Sequence, residues 1–324
     1  MEVEEAVLYS YGFSTVASAI PAYAKSCDVI FVDEGVHFAI QQGLRASRSR
    51  LKYFKHNDVH DLHRLLLEQA DEDKRNPKKA KVTRRFLVVE GLYMNHGDIC
   101  PLKEMIKLKN QFKVRIFVDE TVSFGVLGKT GRGISEETDV PVDEIDHFSA
   151  SLENAISAYG GFCCGTSFIV DHQRLSGWGY CFSASLPPLQ AAVAISALDV
   201  LETNPGILEQ LRDNCRYIHK KLKQVSTIDV EGADVSPIKH LRFSLPASDR
   251  KSEASDRKRE TARLESVVNR AWNEHVAITV ARYLDDREHK CPEPSIRLTV
   301  NAALTISDMD TVVQVLSSAF DSLA

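Results

Sequence analysis

The polarity pattern changes character partway along the chain. Up to about residue 188, short apolar runs alternate with stretches of helical spacing. Asp28-Val-Ile-Phe-Val-Asp33, Leu51-Lys-Tyr-Phe-Lys55, Arg85-Phe-Leu-Val-Val-Glu90 and Val114-Arg-Ile-Phe-Val-Asp119 predict strands rich in β-branched and aromatic residues. Val36 to Ser47 and Leu102 to Gln111 predict helices between them. Asp58 is suited to N-cap a third helix, which carries Leu62, Leu65, Leu66 and Gln69 on one face. Phe162-Cys-Cys-Gly-Thr-Ser-Phe-Ile-Val170 predicts a hairpin of two further strands. This β-α-β rhythm implies an α/β class with a mostly parallel sheet covered on both faces. Glu90 and Asp119 end their strands, where ligands bind in open α/β sheets.

After Leu186-Pro187-Pro188 the pattern becomes α+β. A helix from Leu189 to Glu202 is broken by Asn204-Pro205-Gly206, and another spans 207–224. Strands are expected near 226–231, 240–244, 276–280 and 295–300, with a helix over about 259–273. Ser307 is read as the cap of a final amphipathic helix carrying Val312, Val313, Leu316, Phe320 and Leu323. The expected division is a large domain over 1–188, then a bridging helix and smaller C-terminal domain over 189–324. Two polar stretches interrupt it. Asp71 to Arg85, with Lys78-Lys79-Ala-Lys81, reads as a solvated connection, or else as a patch for an acidic partner or anionic membrane. Ser248 to Lys258 reads as a surface loop.

Composition narrows the picture mainly by exclusion. At 324 residues the chain is long enough for one large or two ordinary domains. A net charge of −5 suggests no nucleic-acid footprint. No run approaches the length of a transmembrane helix, and the acidic start Met1-Glu-Val-Glu-Glu is unlike a secretory signal. Seven cysteines without a metal-type CxxC pair point to reduced thiols in a cytosol-facing protein, with Cys163-Cys164 as buried filler. No metal site is expected.

Two segments carry the chemistry. The first is Arg115-Ile-Phe-Val-Asp119-Glu120-Thr-Val-Ser-Phe-Gly125, followed by Gly128 and Gly131-Arg132-Gly133. The second is Phe148-Ser-Ala-Ser-Leu-Glu-Asn154-Ala-Ile-Ser-Ala-Tyr-Gly160-Gly161. Together they resemble the core of the α-oxoamine synthases, a pyridoxal-phosphate family. The resemblance implies a fold-type I PLP-dependent transferase, with a mostly parallel large-domain sheet and a smaller α+β C-terminal domain. Active members of that family hold the cofactor on a lysine six residues before the Gly-Gly. Here that position is Asn154, whose amide is no nucleophile. The family's cofactor-contacting histidine falls on Val122, and polar positions of a further motif fall on Met94 and His96, while Glu90 and Gly97 are kept. The resemblance therefore implies no catalytic residue in this chain. Lys129 is the nearest lysine, in a turn expected to be exposed.

Other positions match the family's cofactor-binding residues. Asp119 matches the partner of the pyridinium nitrogen, and His37, in Asp33-Glu-Gly-Val-His37, matches the group lying over the ring. Ser183 and Ser185, in Cys181-Phe-Ser-Ala-Ser-Leu-Pro187-Pro188, match hydroxyls that reach the phosphate of a neighbouring subunit. Arg297 matches a substrate-carboxylate site, with Arg282 a looser candidate. Each also has a plainer reading. Asp119 suits a strand-end cap, His37 a structural histidine, Ser183 to Ser185 an interdomain turn, and either arginine a surface position.

Tyr9-Ser-Tyr-Gly-Phe-Ser-Thr, Phe54-Lys-His-Asn-Asp58, Gly160-Gly-Phe-Cys-Cys164 and Asp171-His-Gln-Arg-Leu-Ser176 narrow the likeness to the lysine-less subunit of the family's heterodimeric branch. That branch condenses L-serine with palmitoyl-CoA to 3-ketosphinganine, CO2 and CoA, opening sphingolipid synthesis. The likeness implies a catalytic sister subunit holding pyridoxal 5′-phosphate, small regulatory membrane subunits, and the cytosolic face of the endoplasmic reticulum membrane. That subunit carries an N-terminal extension with a membrane helix, so this chain is expected to be N-terminally truncated. Two functions remain open at this point: a non-catalytic subunit that supports its partner, or an interaction protein that pairs without supporting activity.

Overall fold

The computed structural model describes residues 1–244, 254–285 and 287–323, which sort into two compact units. The first holds residues 1–93 and 99–205 and the second holds 94–98 with the chain from 206 onward. The helix expected to open the C-terminal region thus groups with the first unit.

Among the described residues, the first unit contains a seven-stranded sheet. Its strands are β1 (Glu5–Tyr9), β2 (Val29–Asp33), β3 (Arg50–Phe54), β4 (Arg85–Glu90), β5 (Arg115–Asp119), β6 (His147–Ser151) and β7 (Gly161–Gly165). They run in the order β1-β7-β6-β5-β4-β2-β3. β3, β2, β4, β5 and β6 pair in parallel, while β7 runs antiparallel to both β6 and β1. The mostly parallel sheet read from the sequence is therefore present. Every residue of β2, β6 and β7 is buried, as expected of strands covered on both faces. In register, Glu90 faces Asp119 and Asp119 faces Ser149, so the strand ends bring these polar groups side by side.

The helices follow simple causes. Asp58 accepts from the amides of His60 and Asp61 and starts the helix Val59–Arg75, which buries Leu62, Leu65, Leu66 and Gln69. Helix Pro188–Thr203 begins on a proline, suited to a helix start, and ends before Pro205. It buries only Ala194 despite its apolar composition.

One expectation fails in this unit. Residues 162–170 do not form a hairpin. β7 stops at Gly165, and helix Ser167–Ser176 follows, burying Val170 and Gln173 three residues apart on one face. β7 pairs antiparallel with the strand just before it, β6, and with the distant β1, so both of its edges are filled without a strand after Gly165.

The second unit has a four-stranded antiparallel sheet. It comprises β8 (Ile228–Glu231), β9 (Ile238–Phe243), β10 (Thr279–Val280) and β11 (Ile296–Thr299), in the order β10-β11-β9-β8. Helices Gly206–Leu222, Ala254–Asn273 and Ile306–Asp321 supply its core, with Leu222, Leu264, Val267 and Leu316 fully buried. The rings of Phe243 and Phe320 meet at a tilt, with centroids 4.7 Å apart. Ser307 does not cap the last helix. Thr305 does, accepting from the amide of Asp308, whose carboxylate binds back to the Thr305 amide at 2.9 Å. This reciprocal pair satisfies two otherwise orphaned amides, which a cap at Ser307 would not achieve. Of the surface loop expected over Ser248 to Lys258, residues 248–253 lie outside the described residues, and from Ala254 the stretch is helical.

All seven cysteines are free thiols. Burial pushes the Cys163 thiol well up and that of Cys164 to about 12, so both act as apolar filler.

Candidate functional site

The site builds from the carboxyl ends of the parallel strands in the first unit. β2 ends at Asp33, and Glu34 to Val36 lead to His37, the N-cap of helix Phe38–Ser47. This helix starts two residues later than the sequence suggests, because His37 Nδ1 accepts from the Ala39 amide at 3.2 Å. That bond leaves the proton on Nε2, which donates to Asp119 Oδ2 at 2.7 Å. The His37 amide in turn donates to Glu90 Oε1 at 2.6 Å. Three strand ends, β2, β4 and β5, are thus tied together by one histidine.

Asp119 is engaged through both oxygens. Its second oxygen accepts from the hydroxyls of Thr121 and Ser149, each at 2.9 Å. Asn154 Nδ2 donates to the carbonyl of Thr121 at 2.7 Å. His37, Asp119, Thr121 and Asn154 therefore form one run of hydrogen bonds. Val122, at the family's histidine position, is buried. Lys129 is exposed.

Glu120 is a second buried acid that motif reading gave no role. It accepts from the Ser123 hydroxyl and, with both oxygens, from the Ile134 amide at 3.0 and 3.1 Å. Burial pushes its carboxyl up to about 8, against these hydrogen bonds. It ties the end of β5 to the glycine-rich turn. Gly133 sits there at φ 95°, where a Cβ would collide with the Glu120 carboxylate. The spacing of glycines marked this turn, but nothing in the pattern marked the acid inside it.

The remaining candidates lie elsewhere. Ser183 and Ser185 are exposed between helices Trp178–Cys181 and Pro188–Thr203, and the Ser183 hydroxyl donates to Gly179 O at 2.6 Å. Arg297 is a half-buried residue of β11, in the second unit, opposite His240 of β9. Arg282 is exposed and pairs with Glu265 at 2.8 Å. Met94 and His96 belong to the second unit. His240 bonds the Met94 carbonyl at 3.0 Å, and His96 bonds Glu231 at 2.8 Å. Burial pushes Glu231 up, but His96 and Arg242 outweigh it and hold the carboxyl at about 2.

As arranged, these side chains do not fit pyridoxal phosphate held by this chain. Asn154 offers no amine. Both Asp119 oxygens are occupied from within the protein. His37 is itself held to Asp119 through Nε2. Among the described residues no group of His, Cys, Asp and Glu is disposed to hold a metal ion.

The comparisons identify the fold and the family. A serine palmitoyltransferase from S. paucimobilis, solved with a bound PLP–myriocin aldimine, superposes with a TM-score of 0.84 over 99% of this chain and 73% of its own, at 24% identity. An 8-amino-7-oxononanoate synthase from Francisella tularensis gives 0.73 over 98% of this chain and 82% of its own, at 20% identity. At such identities the likeness is one of fold, and the fold-type I transferase architecture expected from the sequence is the one observed. In sequence, the chain is 43% identical over 310 residues to long chain base biosynthesis protein 1b of Oryza sativa subsp. japonica, covering 94% of this chain and 61% of that protein. It is 39% identical over 320 residues to serine palmitoyltransferase 1 of Dictyostelium discoideum, covering 98% of this chain and 65% of that protein. The chain thus spans less than two thirds of the length of these curated relatives. The family model for aminotransferases of class I and II matches residues 1–316, and the chain belongs to that family.

Proposed function

We propose that this chain is the non-catalytic subunit of a serine C-palmitoyltransferase, the enzyme that condenses L-serine with palmitoyl-CoA to 3-ketosphinganine, CO2 and CoA. The observation that carries the reading is Asn154. It stands on the hydrogen-bond run behind Asp119, where the resemblance puts the cofactor lysine, and its amide is spent on the Thr121 carbonyl. Pyridoxal phosphate, in this reading, is held by a catalytic sister, long-chain base subunit 2, and Ser183 and Ser185 extend toward that partner's cofactor. Arg297 is the proposed substrate-carboxylate contact.

The surface of the first unit supports a partner. Trp178, Phe182, Leu189 and Ile195, in the stretch of chain that includes the two serines, are 60–84% exposed. Leu8, Phe124, Phe162, Leu186, Ile195 and Leu198 line an apolar groove of about 620 Å³. Exposed apolar patches of this sort mark interaction sites. The names of the relatives, long chain base biosynthesis protein and serine palmitoyltransferase, support a place in sphingolipid synthesis, and the proposed location is the cytosolic face of the endoplasmic reticulum membrane. Among the described residues no single helix is long and apolar enough to cross a membrane.

Co-expression with the catalytic subunit is the test. 3-Ketosphinganine formation above that of either chain alone is expected, together with co-purification of the pair. A complex that forms without any gain in activity would instead make the chain an interaction protein that pairs without supporting catalysis.

A further inference from the structure

Glu153, the residue before Asn154, sets its carboxylate at the start of a helix 141 residues away. Its Oε1 lies 3.3 Å from the amide of Gly12, the first residue of helix Gly12–Tyr23. Among the described residues, that helix brings no anion of its own to this start. Its N-cap residue Tyr11 makes no side-chain cap bond, and its first turn contains no acid. The approach is close because residue 12 is glycine. A Cβ there would stand 2.6 Å from Ser151 Oγ and 3.2 Å from the Glu153 carboxylate. Ser151 also aims the acid, since its hydroxyl accepts from the Glu153 amide at 3.0 Å. One turn, 151–154, therefore delivers an acid to a helix start and an amide to the loop that holds Asp119.

A helix start carries partial positive charge and unpaired amides, which is why phosphates sit at such ends. Here that position already holds an anion belonging to the chain. We propose that Glu153 is a built-in competitor for a cofactor phosphate. It keeps phosphorylated pyridoxine-type molecules off this chain, as a barrier separate from the missing lysine. The inference rests on the reading that this chain does not hold the cofactor, and it adds the group that enforces this.

The test uses the full chain and two substitutions at an exposed position. Glu153→Gln removes the charge and keeps the shape, and Glu153→Ala removes both. Pyridoxine 5′-phosphate, inorganic phosphate and pyridoxine serve as probes in calorimetric titrations, because none carries an aldehyde that would attach to surface lysines. Both variants are expected to bind the two phosphate-bearing probes about two- to fivefold more tightly than the parent chain, the size of a charge effect at an exposed helix end. Pyridoxine affinity is expected to stay unchanged. Equal phosphate affinity in all three chains overturns the proposal. So does an equal gain for pyridoxine, since a gain without phosphate reports an opened space and not a removed charge. The reading beneath it has its own outcome. Stoichiometric borohydride-trapped attachment of pyridoxal phosphate to a single lysine of the parent chain overturns that reading, whatever the Glu153 variants do.

Discussion

His37 Nε2 donates to Asp119 Oδ2 across 2.7 Å, and the opposite ring nitrogen is fixed by the Ala39 amide. Both side chains are buried, so removing the donor strands a carboxylate oxygen away from water. His37→Ala is expected to lower stability by about 1–3 kcal/mol, the usual cost of an unpaired buried polar group. His37→Gln retains a donor and should lose less. Urea unfolding of the two variants against the parent checks the order, and equal losses would show that the hydrogen bond contributes nothing beyond packing.

Glu120 gives the fold a distinctive pH response. Its carboxyl titrates near 8 in the folded chain, and near 4.5 when unperturbed. Between those values the folded state keeps a proton that the unfolded state has released. Stability from this group therefore falls as pH rises from about 4.5 to 8 and levels off above that. Glu120→Gln keeps an acceptor for the Ile134 amide and removes the titration. The urea midpoint of the variant should lose the downward slope across this window.

His147 acts in the opposite sense. It is buried against Tyr23 and Phe117, with ring centroids 5.4 and 4.8 Å away, and neither ring nitrogen has a hydrogen-bond partner among the described residues. Burial lowers its pKa to about 3, opposed weakly by the Asp119 charge. The unfolded chain takes up a proton near 6.5 that the folded chain refuses, so stability is lost as pH falls from about 6.5 to 3. His147→Phe supplies a ring to the same aromatic neighbours without the orphaned nitrogens. A gain of about 1–2 kcal/mol is expected at neutral pH, with a flatter acid limb, both read from thermal or urea unfolding across pH.

What the sequence revealed divides along physical lines. β2, β4 and β5 were legible because strands buried on both faces must be apolar along their length. Helix Val59–Arg75 was legible from its cap and its spacing. β6 was not, since His147-Phe-Ser-Ala-Ser151 is short and partly polar, yet wholly buried. β1 and β7 pair across more than 150 residues, and a pairing of that separation leaves no local trace. The site shows the same split. Asp119, His37 and Asn154 stand in recognisable motifs. Thr121, Ser149 and Glu153 matter only through whom they touch, and small polar residues carry no periodic signature.

The corrected cap offers a direct comparison. Thr305 and Asp308 satisfy each other's backbone amides at the start of the last helix, while Ser307 lies inside its first turn. Thr305→Ala is expected to cost about 1 kcal/mol, typical for a lost N-cap. Ser307→Ala should be close to neutral. A thermal melt of each variant decides between the two assignments, and a larger loss at Ser307 would restore the sequence-based one.

The proposed division of labour between subunits makes its sharpest claim at Ser183 and Ser185. Both are exposed, and the Ser183 hydroxyl reaches only nearby carbonyls, those of Gly179 and Ala184, among the described residues. Replacing them with alanine should therefore leave folding and pairing unchanged. If their hydroxyls donate to a phosphate held by the catalytic subunit, each lost bond is a charge-assisted one, worth about 1.5–3 kcal/mol. The Ser183→Ala/Ser185→Ala complex should then need at least about tenfold more pyridoxal phosphate for half-maximal 3-ketosphinganine formation, with little change once the cofactor saturates. A cofactor requirement equal to that of the parent complex would reduce this stretch to a turn leading into helix Pro188–Thr203. A fall in activity that persists at saturating cofactor would move its role from holding the phosphate to shaping the partner's reacting groups.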